Sequence, residues 1–191
     1  MLNAAFARRL SARVQSIDKA RRALQALSGD ILSGSKRAIF AFHRDDLKKG
    51  KQELSTARQK LREGWKLVKK EPRIIHEGSW RAAQEEFAEA DLFHQYLTKG
   101  TIGLVVDVSE DPDVFVGAVS DATGEMVRHA VFLASTGKGE RVGKIYDDVS
   151  DVVSFLMHMD LTGNLRNKFD QAKQNLRKLE EIRYDLAIRK K

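Results

Sequence analysis

TIGLVVDVSEDPD (101–113) decides the fold class, because it is the one segment of this 191-residue chain with the apolar, β-branched character of a strand. A strand needs partners, and even a lone two-stranded hairpin is marginal in water. No second strand signal accompanies it, so the stretch before Pro112 is expected to be a loop or connector between helices. Pro112, following an Asp able to cap it, suits the first turn of a helix that continues through Phe115, Val119, Ala122, Met126 and Leu133. On the other side, a helix from about Gly78 to Thr98 carries Trp80, Ala83, Phe87, Ala90 and Leu97 inward and ends at Lys99-Gly100.

Farther out the same periodicity continues. Leu2, Phe6, Leu10, Val14, Ile17, Ala20, Leu24 and Leu27 mark an amphipathic first helix, with room for a bend near Gly29 or Gly34 before SKRAIFAFHR (35–44) resumes the pattern at Ile39 and Phe42. Asp45 and Asp46 stand where a cap and first turn belong, ahead of a helix through Leu54, Ala57, Leu61, Trp65 and Val68 that stops at Pro72. A fifth helix fits roughly 141–158. The last is long, with Leu165, Phe169, Ala172, Leu176, Leu179, Ile182 and Leu186 on one side. STGKGER (135–141) lacks the first glycine of a phosphate-binding P-loop, which excludes that motif. The expected fold is all-α, an antiparallel helical bundle forming one domain over residues 1–191.

Composition narrows the function. Without cysteine there is no thiol catalysis, thiolate zinc site or disulfide framework. No apolar run approaches the roughly 20 residues of a membrane span, and the basic start lacks the apolar core of a signal peptide. These features point to a soluble cytoplasmic protein without membrane partners. The net charge of +7 is unevenly spread. Residues 1–70 hold 18 Lys and Arg against 6 Asp and Glu, residues 71–130 hold 4 against 12, and residues 131–191 hold 12 against 9. A basic flank beside an acidic centre suits a polyanion-binding surface around a carboxylate cluster, although charged residues also simply solvate helix faces.

Within that centre, Glu86 and Glu89 are i, i+3 and Asp121 and Glu125 are i, i+4, so each pair shares a helix face with no basic residue between. Like charges at this spacing repel, and oxygen-only donors suit hard ions, chiefly Mg²⁺ or Mn²⁺. Glu85 and Glu89 are also i, i+4, so spacing does not choose between Glu85 and Glu86. A ferritin-like di-iron site would need Glu-x-x-His pairs, and none exists. Trp65, Trp80, Phe87 and Phe93 fall at core spacing rather than as base-stacking platforms.

Three ordered blocks, SKRAIFAFHR (35–44), EEFAEADLFHQYL (85–97) and VSDATGEMVR (119–128), resemble the translin-associated factor X branch of the translin family. The final stretch, with Tyr184, Leu186 and Arg189, is similar to that family's last helix. The resemblance implies a bundle of about seven helices and a closed, roughly octameric shell, here expected as a homo-oligomer, with a second translin-like subunit as the other possibility. It implies a Mg²⁺-dependent endoribonuclease whose Glu-x-x-Glu-Ala motif maps to Glu86, Glu89 and Ala90, which favours Glu86 over Glu85. Its Asp-x-Thr-Gly-Glu segment maps to Asp121, Thr123, Gly124 and Glu125. The family's His position holds Gln95 here, with His94 one place earlier.

The expected chemistry is hydrolysis of RNA phosphodiesters by a metal-activated water. Glu86, Glu89, Asp121 and Glu125 are the metal-binding and catalytic set, and Lys36, Arg37, His43 and Arg44 hold single-stranded or short RNA by its phosphates. The alternative is a translin-like oligomer that binds single-stranded DNA or RNA without cutting it.

Overall fold

A computed structural model describes residues 2–188, and Arg189 of the terminal motif lies outside them. Six α-helices and no strand occur among the described residues: α1 (Ala4–His43), α2 (Leu47–Lys70), α3 (Gly78–Lys99), α4 (Pro112–Ser135), α5 (Val142–Met157) and α6 (Gly163–Ile188). None is long and apolar enough to cross a membrane.

The helix ends follow local chemistry. Asn3 opens α1 by accepting from the Ala5 and Phe6 amides, and Asp46 opens α2 by accepting from Lys49. Asp45, next to that cap, takes the left-handed conformation that reverses the chain, with φ of 62°. Gly100 closes α3 in the same region. Segment 101–111 is a connector, and side chains supply the hydrogen bonds that a neighbouring strand would have made. Trp65 Nε1 donates to the Asp107 carbonyl (2.6 Å), Ser109 N–H donates to Gln84 (2.8 Å), and Gln95 donates to the Leu104 carbonyl (3.2 Å).

Two expectations about α1 change. Its 40 residues run without a break through Gly29 and Gly34, about 60 Å at the usual rise. Gly34 serves as a contact point rather than a hinge: a Cβ there would lie 3.4 Å from that of Ala57 on α2. Packing of α1 on α2 and α3 outweighs the roughly 1 kcal/mol that a helical glycine costs. The apolar stripe also divides. Leu24, Ile31, Ile39 and Phe42 are buried, whereas Leu2, Phe6, Leu10 and Val14 stand exposed.

The core has two parts. α1, α2 and α3 enclose Leu24, Leu61, Trp80, Phe87 and Phe93, while α4, α5 and α6 enclose Met126, Leu133, Val149, Phe169 and Leu179. α4 contributes to both through Val119 and Met126. The acids of α3 and α4 therefore stand along the seam between the two halves.

Candidate metal centre and nucleic-acid interface

Glu85, Glu86 and Glu89 come from α3, Asp121 and Glu125 from α4. The Glu89 carboxyl is pushed up to about 8, first by burial and then by the charges of Glu86, Asp121 and Glu125, with Lys168 pulling the other way. Burial and the charges of Asp121, Glu125 and Glu85 also raise Glu86, against the opposing pull of Lys36. The charges of Asp121 and Glu125 on α4 thus bear on both Glu86 and Glu89 on α3, which places the four acids near one another.

Basic groups hold most of this cluster. Lys168 of α6 reaches both Asp121 Oδ2 (2.5 Å) and Glu85 Oε1 (2.7 Å). Burial lowers its affinity for a proton, but the hydrogen bonds to Asp121 and Glu85 outweigh that and raise it. His43 Nε2 bonds to Glu125, with Arg128 3.8 Å from the same carboxylate. Lys36 stands 3.8 Å from Glu86. Glu89 joins no ion pair among the described residues, and burial together with its acidic neighbours raises it.

Among the described residues, no three His, Asp or Glu side chains are drawn together as a ready metal cage. The donor chemistry nevertheless fits a hard divalent ion: four carboxylates, and one acid, Glu89, raised by burial first and by the charges of the other three second.

The Asp-x-Thr-Gly-Glu segment gives the site its frame. Thr123 is fully buried; its hydroxyl donates to the Ser120 carbonyl (2.6 Å) and accepts from Asn175 Nδ2 on α6 (2.9 Å). Gly124 lets that amide come close, since a Cβ there would lie 3.4 Å from it. Asn175 and Lys168 are i, i+7 on one face of α6, so the same contact sets the register that brings Lys168 to Asp121. Gly117 admits the Glu85 carboxylate against α4, where a Cβ would meet Oε1 at 2.6 Å.

Sequence reasoning passed over Lys168. The available signal was its place, with Asn175, along the otherwise apolar inward side of α6, where a polar residue calls for a buried partner. Glu85, set aside on the family motif, also joins the cluster as a partner of Lys168.

The basic residues expected to hold nucleic acid separate by face. His43 turns inward, its side chain 6% exposed and its ring 4.8 Å from Phe93. Lys36 is exposed and reaches Glu86; Arg37 pairs with Glu53 of α2 at 3.0 Å; Arg44 lies over the Phe40 ring. Gln95, at the family's His position, donates to Asp91 (3.0 Å) and braces the connector, while His94 stacks on Phe42.

The Translin family model matches residues 19–190. The chain belongs to the Translin family. No curated protein matches it significantly. Among solved structures, the crystal structure of apo-NeC3PO is similar at a TM-score of 0.87 and 20% identity, over 96% of this chain and 97% of that one. The structure of AfC3PO with duplex RNA follows at 0.85 and 20%, over 95% and 96%. AfC3PO itself matches at 0.83 and 21%, over 95% and 96%. At these identities the likeness shows a shared fold, and the Translin family chain carries its acids and Lys168 on that all-helical frame.

Proposed function

We propose that this Translin family protein belongs to the catalytic, translin-associated factor X-like branch and is a Mg²⁺-dependent endoribonuclease acting on single-stranded or short RNA within a closed, octamer-like homo-oligomer. The observation that carries the reading is the gathering of two acids of α3, Glu86 and Glu89, with two of α4, Asp121 and Glu125. They lie close enough that burial and the other three charges all raise the Glu89 carboxyl. Such an arrangement is costly for a chain that uses it for nothing, and it is relieved by a cation.

Glu86, Glu89, Asp121 and Glu125 would hold Mg²⁺, with Mn²⁺ the other suitable ion. When bound, the ion supplies an activated water and stabilises charge on the phosphoryl oxygens. The chain's own residues do the rest. Lys36, Arg37 and Arg44 grip phosphates without reading bases, so sequence preference is weak and salt dependence steep. His43 orients Glu125, and Lys168 orients Asp121. Glu89 surrenders its proton as the site fills. The stripe Leu2, Phe6, Leu10 and Val14, exposed in the single chain, offers contact area to another copy.

A binder that does not cut is the second reading, favoured by one observation: Lys168 and His43 already engage two of the four acids. Labelled single-stranded RNA incubated with the protein in Mg²⁺ or EDTA separates the two. Cutting that requires both Mg²⁺ and Asp121, tested with Asp121→Ala, supports the enzyme. RNA retarded but intact in Mg²⁺ supports the binder.

A further inference from the structure

Arg37, Phe40, Ala41 and Arg44 follow at i, i+3, i+4 and i+7 on α1 and share one face. Together with Asp46 and Lys49, across the turn into α2, they line an open groove of about 520 Å³. Inside it Phe40 is 53% exposed, although Ile39 and Ala41 on either side of it in the helix are buried. The Arg44 guanidinium lies over that ring, 5.4 Å from its centroid. Arg44 and Lys49 take part in no ion pair among the described residues, while Asp46 is committed to capping α2. The groove thus combines a half-exposed aromatic ring, with Arg44 over one of its faces, and two cations outside any ion pair among the described residues, Arg44 and Lys49. Arg37 is held by Glu53, and Asp46 contributes one negative charge.

Its position is the second point. At about 100° per residue, Phe40 falls between the ridge of Lys36 and His43, which reach Glu86 and Glu125, and the ridge of Arg37 and Arg44. A group lying on Phe40 is therefore held beside the acid cluster.

We infer that Phe40 is a stacking platform for one unpaired nucleobase, with Arg44 and Lys49, the cations outside any ion pair among the described residues, holding the phosphates around it. The inference rests on the nucleic-acid reading above and adds the residue that distinguishes an unpaired base from a paired one. A base can lie on a phenyl ring only when it is free of its neighbours, and freeing one from a duplex costs a few kcal/mol. Every base has a π face, so the platform selects single strands without selecting sequence. A bare phosphate would use Arg44 and Lys49 alone and leave the ring idle.

Fluorescence anisotropy in EDTA on the full chain tests this with three labelled probes of equal length: a single-stranded RNA, an abasic strand, and a duplex. Wild type is expected to bind the base-bearing strand about tenfold or more tighter than the abasic strand, the scale of one base–aromatic stack. Phe40→Ala should erase that gap while leaving abasic and duplex binding unchanged, and Phe40→Trp should keep it. Phe40→Leu serves the same purpose if the alanine variant does not fold. Equal loss on all three probes, or no loss on any, overturns the stacking role while phosphate binding stands. Failure to bind any probe at low salt overturns the nucleic-acid reading and the platform with it. A change in particle mass with Phe40→Ala, measured by light scattering, would make the ring a contact between copies and also overturn the proposal.

Discussion

Replacing Glu89 by glutamine should stabilise the metal-free protein above neutral pH and leave it almost unchanged near pH 5. Folding moves the Glu89 carboxyl from 4.5 to about 8. Between those values the folded chain holds a proton that the unfolded chain has released, so stability falls as pH rises through this window and stays low above it. At about 1.4 kcal/mol for each pH unit, that interval sets a ceiling of about 5 kcal/mol. Glu89 is only half-buried by exposure, and solvent screening reduces the expected effect to roughly 2–3 kcal/mol. Glu86, raised in the same direction for the same leading cause, adds to it. Glutamine has nearly the same shape and no charge to bury, so the variant should lose most of this slope. Urea unfolding followed by circular dichroism from pH 5 to 9 in EDTA, at one protein concentration, measures the difference. A wild-type stability that is flat across this range would refute the reasoning. So would a variant destabilised as much at pH 9 as at pH 5.

Lys168→Met should lower the melting temperature in EDTA, because Asp121 and Glu85 lose their shared partner. It should also enlarge the gain on adding Mg²⁺, which then meets no resident ammonium; thermal shift with and without the ion reads both, and an unchanged gain would argue against competition. Thr123→Val should cost about 1–3 kcal/mol by stranding the Asn175 amide, and chemical denaturation checks it. RNA affinity should fall linearly in log–log form with salt, and Arg44→Ala should flatten the slope by about 0.7 for a single strand if it removes one phosphate contact. Titrations at several salt concentrations measure that slope.

The helices were legible because core residues such as Leu61, Phe87, Met126 and Leu179 recur at spacings that only a helix turns to one side. The connector was legible because a strand signal with no partner cannot build a sheet. What periodicity could not show was which part of a stripe meets another helix of the same chain. Leu10 and Leu24 are equally apolar and in phase, yet one is exposed and the other fully buried. Gly34 illustrates the same limit, since a helical glycine can mark a bend or a close approach, and only the presence of Ala57 opposite decides. In the site, spacing paired the acids within α3 and within α4, but bringing the pairs together depends on tertiary packing. The Thr123–Asn175 bond and Lys168 belong to that packing, joining residues about 50 positions apart. Phe40 was hidden for a related reason: it sits beside Ile39 and Ala41 in an apolar-looking run, and only its exposure separates it from them.

Manganese binding followed by electron paramagnetic resonance tests most directly whether the acids of α3 and α4 form a divalent-ion site. The expectation is one or two bound Mn²⁺ per chain, displaced by Mg²⁺, and lost in Asp121→Asn and in Glu86→Gln while both variants remain folded. Mn²⁺ that stays free in the presence of wild-type protein, or that binds equally well to both variants, would contradict the account.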